Sequence, residues 1–180
     1  MNNEELKLGS ITEIWKSGVE WTKYHQYLDT MEPEGLDSEG EPMKLSRYAH
    51  FLRLYVDLYH QEKVLMEKGD PKANEILKKS VLDIKSDPED FFGTERCLKC
   101  LNVGIRKQVL DNVRKVKKNE VQAGSWVYEP AYSPVLDKLN YLFCQKNIQG
   151  LNRKSIKITK GEKFVKVCLY LHCTHYVFEK

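Results

Sequence analysis

The chain has no run of about 18 apolar residues, which argues against a membrane-spanning helix. It has no strong excess of one charge. The 29 Lys and Arg against 26 Asp and Glu leave a formal net charge of +3, so no global field calls for nucleic acid. The start, Met1 to Lys7, is polar and acidic and lacks an apolar core, which reads against a secretory signal. Cysteines are few and odd in number: Cys97, Cys100, Cys144, Cys168 and Cys173. An odd count without a signal predicts reduced thiols in the cytosol, several of them packed as small hydrophobes. Nucleophile-elbow, phosphate-loop and His-Glu-x-x-His patterns are also missing. The histidines His25, His50, His60, His172 and His175 therefore have no catalytic setting. The expectation is a cytoplasmic protein that is not an enzyme and carries no cofactor.

What is present fits a soluble globular domain. Of 180 residues, 41% are hydrophobic and 31% charged, enough for a sizeable core. Residues 1–9 read as a flexible N-terminus, 10–150 as one helical domain and 151–180 as a tail. Ser10-Ile11-Thr12-Glu13 is a capping box for a short helix through Ile14 and Trp15. A second helix follows, with Trp21, Tyr24 and Leu28 on one face and Tyr27 beside them. Residues 31–43 hold two prolines, two glycines and five acids, a loop with little to bury.

From 44 to 68 the apolar residues largely track helical spacing. Leu45, Ala49, Leu52, Tyr55, Val56, Tyr59, Val64 and Met66 form the stripe, and Phe51, Leu54 and Leu58 widen it. Such a helix is expected to be central and covered on more than one side, ending at Gly69. Asp70-Pro71 opens the next helix, with Ala73, Ile76, Leu77, Val81 and Ile84 inward. Asp87-Pro88-Glu89-Asp90 breaks it. A further helix is expected from about Thr94 through Leu98, Leu101, Ile105, Val109, Val113 and Val116, kinked or divided at Gly104. In 127–146, Val127, Ala131, Val135, Leu139 and Leu142 are again helical. Pro130 suits a first turn, whereas Pro134 in an interior costs roughly 3 kcal/mol, so the helix is expected to start near Ser133. Ser155 to Phe178 alternates and is β-branched or aromatic, which reads as a hairpin or an extended segment.

The helical region, about 10–146, resembles a regulator of G-protein signalling (RGS) domain, an all-α bundle. Tyr48-Ala49-His50-Phe51-Leu52-Arg53-Leu54-Tyr55 and onward to Tyr59 is similar to that family's central helix. Asp70-Pro71-Lys72-Ala73-Asn74-Glu75-Ile76-Leu77 is similar to the helix after its interhelical loop. Tyr128-Glu129-Pro130-Ala131, with Val135 and Leu139, matches its Phe-Asp-x-Ala pattern. The resemblance implies binding to the switch regions of a G-protein α subunit, with contacts from the 87–93 loop, the 44–50 helix start and 140–147. It places Asp90, with neighbouring Phe91, where the family has a key Asn. Tyr48 and Ala49 fall on its acid–Asn pair, Leu142 on an Asp and Lys146 near an Arg. Asp90 loses the amide donor, and Tyr48 and Ala49 cannot replace the pair's hydrogen bonds. Scaffold positions thus match more closely than contact positions. The resemblance implies an interaction domain in which GTPase activation is not strong.

Two other constellations stand out. Cys97-Leu98-Lys99-Cys100 has the spacing of a zinc knuckle or redox pair, and His172, Cys173 and His175 could complete a ligand set. The helical pattern around the first pair favours two half-buried cysteines and no metal. Arg106, Lys107, Arg114, Lys115, Lys117 and Lys118 form a basic stretch. The plain reading is a solvated helix face. The sharper one is a scaffold or membrane-peripheral dock for acidic lipid or an acidic protein. Aromatics are not interleaved along it, so nucleic acid is not expected. Trp21, Tyr24, Tyr27, Tyr55 and Tyr59 read as core.

Overall fold

A computed structural model describes residues 18–153. The elements are α1 (Gly18–Asp29), α2 (Ser46–Lys68), α3 (Ala73–Lys85), α4 (Val103–Lys117), a 3-10 turn (Ser125–Val127) and α5 (Glu129–Arg153). The described residues are all-α. Strand-like pairing among them is limited to one antiparallel bridge, Leu36 with Pro42, closing a turn in the 31–43 loop. No described helix is long and apolar enough to cross a membrane. The expected capping box at Ser10 and the alternating tail lie outside the described residues.

The chain divides into two units, His25–Leu136 and a second formed by Met1–Tyr24 with Asp137–Lys180. In the second, Tyr24 donates its hydroxyl to the Leu139 carbonyl at 2.6 Å. Trp21 stands edge-on to Tyr24 at 6.1 Å. Trp21, Tyr24, Leu139 and Leu142 are buried, as the three-and-four spacing requires.

In the larger unit α2 packs on α3 and the 3-10 turn, and α4 packs on both of those. Its core is aromatic. Phe51 of α2 meets Phe91, Phe92 and Tyr128 edge-on at 5.5, 5.4 and 6.2 Å. Phe92 stacks on Tyr128 at 5.5 Å. Such pairings suit ring quadrupoles and add to simple burial. Tyr128 is fully buried and donates its hydroxyl to the Val81 carbonyl of α3 at 2.6 Å. That hydrogen bond satisfies a polar atom that would otherwise be costly in an apolar core. Burial pushes the Tyr128 pKa far above the ordinary tyrosine value.

Local chemistry explains most boundaries. Gly69 ends α2 in the left-handed region, φ +61°, where a side chain is disfavoured. The Asp70 carboxylate accepts the Lys72 amide at 2.8 Å, so a capped turn precedes α3 and regular helix begins at Ala73. Leu77, Val81 and Ile84 are buried in α3, while Ala73 and Ile76 are half-buried.

Three expectations need correction. No helix begins at Thr94. The chain is irregular from 86 to 102, and α4 starts at Val103 behind Asn102, whose side chain accepts the Ile105 amide at 2.9 Å. An Asn N-cap overrides the apolar spacing upstream of it, and Gly104 sits in the first turn instead of dividing a longer helix. Second, α5 starts at Glu129 and carries Pro134 inside it. Tyr128, Ala131 and Val135 are fully buried. At about 1.5–3 kcal/mol for a large side chain, that burial exceeds the lost hydrogen bond at Pro134. Third, α2 is covered only over its first half. Tyr59, Val64 and Met66 are 50%, 45% and 60% exposed.

Tyr128→Phe should cost about 1 kcal/mol, the net worth of one buried hydrogen bond. Phe51→Ala should cost about 4 kcal/mol through the cavity it leaves. Urea denaturation midpoints of the two variants, read against the parent chain, check both values.

Candidate functional site

Asp87-Pro88 stops α3 and starts a tightly bonded loop. One Asp87 carboxylate oxygen accepts the Glu89 amide at 2.9 Å, and the other lies 2.9 Å from His50 Nε2 on α2. The His50 ring also lies against Phe91, 5.6 Å between centroids. Asp90 takes a left-handed conformation, φ +43°, which Asp tolerates better than most residues. Its carboxylate lies over Gly93, where a Cβ would stand 1.6 Å from Asp90 Oδ2. A side chain at 93 would make the Asp90 carboxylate swing aside. Arg106 of α4 donates to the Gly93 carbonyl at 3.0 Å.

Beside this loop lies a charge network. Arg47, in the first turn of α2, has a side chain 6% exposed. Its Nε is 2.6 Å from Glu89 Oε2, and it donates to the carbonyls of Glu89 and Arg96. Arg96 reaches Asp37 Oδ2 at 2.9 Å and Glu89 Oε2 at 3.6 Å. The Asp37 side chain, 1% exposed, accepts the amides of Glu41 at 2.9 Å and Glu39 at 3.0 Å. The Glu41 amide most strongly, then the Glu39 amide and the Arg96 guanidinium, hold the Asp37 carboxyl below the ordinary carboxylate range. They do so against the opposing effect of its own desolvation.

Above the network is an open depression of about 380 Å³, lined by Asp37, Ser38, Glu39, Asp90, Thr94, Glu95 and Arg96. Its lining is four carboxylates, the hydroxyls of Ser38 and Thr94, and one guanidinium. What it can do is recognise shape, hydrogen bonds and charge.

The residues singled out in the sequence fall unevenly around this surface. The 44–50 and 87–93 segments come together through Arg47–Glu89 and His50–Asp87. Tyr48, Ala49 and Phe91 are buried to 1%, 0% and 1%, so their side chains support the surface and do not form it. Tyr48 donates its hydroxyl to Glu34, and burial, then Glu34, raises its pKa far above the usual value. Asp90 is accessible, with a side chain 43% exposed. Leu142 is buried in the other unit, and the Lys146 side chain lies outside the described residues. The 140–147 stretch therefore adds no described contact side chain at Leu142.

The basic stretch is only partly free. Arg106 is committed to Gly93, Arg114 pairs with Asp111 at 2.7 Å, and Lys118 lies 3.8 Å from Glu120. Lys107, Lys115 and Lys117 are exposed, while Val109, Val113 and Val116 face inward. Cys97 and Cys100 lie in an irregular segment, not a helix, the first buried and the second half-buried. Among the described residues no group of three or more His, Cys, Asp or Glu is arranged to hold a metal. His172, Cys173 and His175 lie outside them.

The network of Arg47, Glu89, Arg96 and Asp37 has no counterpart in the sequence reading, which treated 31–43 as having little to bury. The Asp37-Ser38-Glu39-Gly40 turn was the available signal, because Asp favours bonding to amides two and more residues on.

Arg47→Ala should cost about 3 kcal/mol by stranding Glu89 and two carbonyls, read as a shift in the urea midpoint. Because the Asp37 pKa is lowered in the folded chain, its stabilisation is complete above the unfolded carboxylate value of about 4 and is lost as pH falls through the folded value. Asp37→Asn should flatten the acid limb of stability against pH, measured by urea midpoints at successive pH values. Comparison with protein-family models, curated proteins and solved structures finds no match for this chain.

Proposed function

We propose that this chain is an RGS-like protein-interaction domain that binds a G-protein α subunit. The reading rests on the union of two segments that the resemblance assigns to the contact surface. The start of α2 and the 87–93 loop are locked together by Arg47–Glu89 and His50–Asp87 beside an open polar depression. It is also supported by the complete burial of Tyr128, Ala131 and Val135, as scaffold positions require. Recognition falls to the rim residues Asp90, Thr94 and Glu95.

Strong GTPase activation is not part of the proposal. Activation of this kind works by holding the GTPase switches, and the hydrolytic groups belong to the GTPase. Asp90 accepts hydrogen bonds but has no amide to donate, and Tyr48 and Ala49 are buried. Single-turnover GTP hydrolysis by several α subunits, with binding measured in parallel, tests the reading. The expected result is binding with an acceleration below about tenfold, roughly 1.4 kcal/mol of barrier. A hundredfold acceleration would overturn the weak-activator part, and absence of binding in every nucleotide state would overturn the whole.

A second reading makes α4 a membrane-peripheral or scaffold surface. The exposure of Lys107, Lys115 and Lys117 on the face opposite its buried valines favours it. Sedimentation with anionic liposomes, lost on changing Arg114, Lys115, Lys117 and Lys118 to Glu, would support it. Equal sedimentation of parent and variant would remove it.

A further inference from the structure

The second half of α2 keeps an aromatic face that neither the core nor the 87–96 surface uses. Tyr59, Glu62 and Met66 continue the side of the helix on which Tyr55 is buried, at spacings of four, three and four. Tyr132 of α5 stacks on Tyr55, with ring centroids 4.8 Å apart and 28° between planes. Glu62 accepts the Ser125 amide at 2.8 Å, which fixes the 3-10 turn beside α2. Trp126 belongs to the same face. A Cβ on Gly124 would stand 2.5 Å from Glu62 Oε1 and 3.0 Å from Trp126 Cδ1. Glu129 and Tyr132 lie three apart in the first turn of α5, and burial, then Glu129, Tyr132, Tyr59 and Glu62, pushes the Tyr55 pKa up. Tyr59 and Met66 are 50% and 60% exposed, and Trp126 is 36% exposed.

An apolar face alone does not say what covers it, but the charges here do. Glu62 and Glu129 stand among the rings with no base in the set. Neighbouring Lys63 is turned toward Glu67, 4.0 Å away. Carboxylates among π faces attract a cation twice, by charge and by the ring quadrupole. A guanidinium meets both demands at once: its plane stacks on Tyr or Trp while its edge donates to a carboxylate. An anionic lipid surface has the wrong sign for this face.

We propose that Tyr59, Glu62, Met66, Trp126, Glu129 and Tyr132 form a docking face for an arginine-containing segment of a partner protein. Fifteen residues of α2 separate Glu62 from Arg47, roughly 22 Å along the helix axis. The face is therefore open whether or not the 87–96 surface is occupied, and its test does not depend on G-protein binding.

The test titrates the full chain with a fluorescent octa-arginine peptide, read by anisotropy. Saturable binding is expected, at least about threefold tighter than for octa-lysine. The Glu62→Gln/Glu129→Gln pair should weaken it about fivefold or more, as should Tyr59→Ala. Gln at 62 keeps an acceptor for the Ser125 amide, and an unchanged urea midpoint verifies the fold. Glu39→Gln/Glu95→Gln, in the acidic depression, should leave affinity within about twofold. The proposal is overturned by absence of saturable binding, by parent-like affinity in either set of face variants, by equal affinity for octa-lysine, or by a loss confined to the Glu39/Glu95 pair.

Discussion

The buried guanidinium of Arg47 is the constraint around which the larger unit is arranged. It enters from the first turn of α2 and ends among two main-chain carbonyls and the Glu89 carboxylate. A desolvated cation has no tolerable alternative to such partners. The segment between α3 and α4 must therefore pass close to the start of α2, although it has no regular secondary structure of its own. Arg96 carries the constraint one step further to Asp37 and fixes the acidic loop before α2. Three stretches of irregular or terminal backbone are thereby held by charge where helix packing cannot hold them.

The aromatic cluster complements this arrangement from the apolar side. Phe91 and Phe92 leave the same segment inward and meet Phe51. Outward, the segment exposes Asp90, Thr94 and Glu95 at the depression. One short segment thus has an anchored interior and a polar exterior, the usual condition for a recognition loop on a rigid scaffold. The exposed face of Tyr59, Trp126 and Tyr132 is built differently, on regular helix and a 3-10 turn.

Much of the fold was legible because its signals were local. Gly69 in the left-handed region, the Asp70-Pro71 turn and the Trp21–Tyr24–Leu28 stripe each depend on neighbours a few residues away. The failures had non-local causes. Leu98 and Leu101 are buried and fall at helical spacing, yet the Leu98 amide bonds to the Phe91 carbonyl and regular helix waits for Asn102. Pro134 argued for a late start to α5, but the burial of Tyr128, Ala131 and Val135 decides it. For the candidate site, the resemblance nominated the 44–50 and 87–93 segments, whereas the side chains that join them were not legible. Arg47 and Asp37 look like ordinary surface charges until residues far away in sequence bury them. Tyr48, Ala49 and Phe91 were nominated by position along the chain, and position does not say which way a side chain turns.

At Gly93 the space for a side chain is taken by the carboxylate of a neighbour three residues back. The Asp90 carboxylate fills the space that any other residue at 93 would need for its first side-chain carbon. Substitution at 93 must therefore displace the one accessible side chain among the nominated contact positions of this loop. The choices at 90 and 93 therefore bear on each other. A chain that gains bulk at 93 must turn the side chain at 90 to another rotamer or carry a different group there. Libraries built to alter partner choice through this loop should vary the two positions jointly, since a side chain at 93 changes where the group at 90 can point.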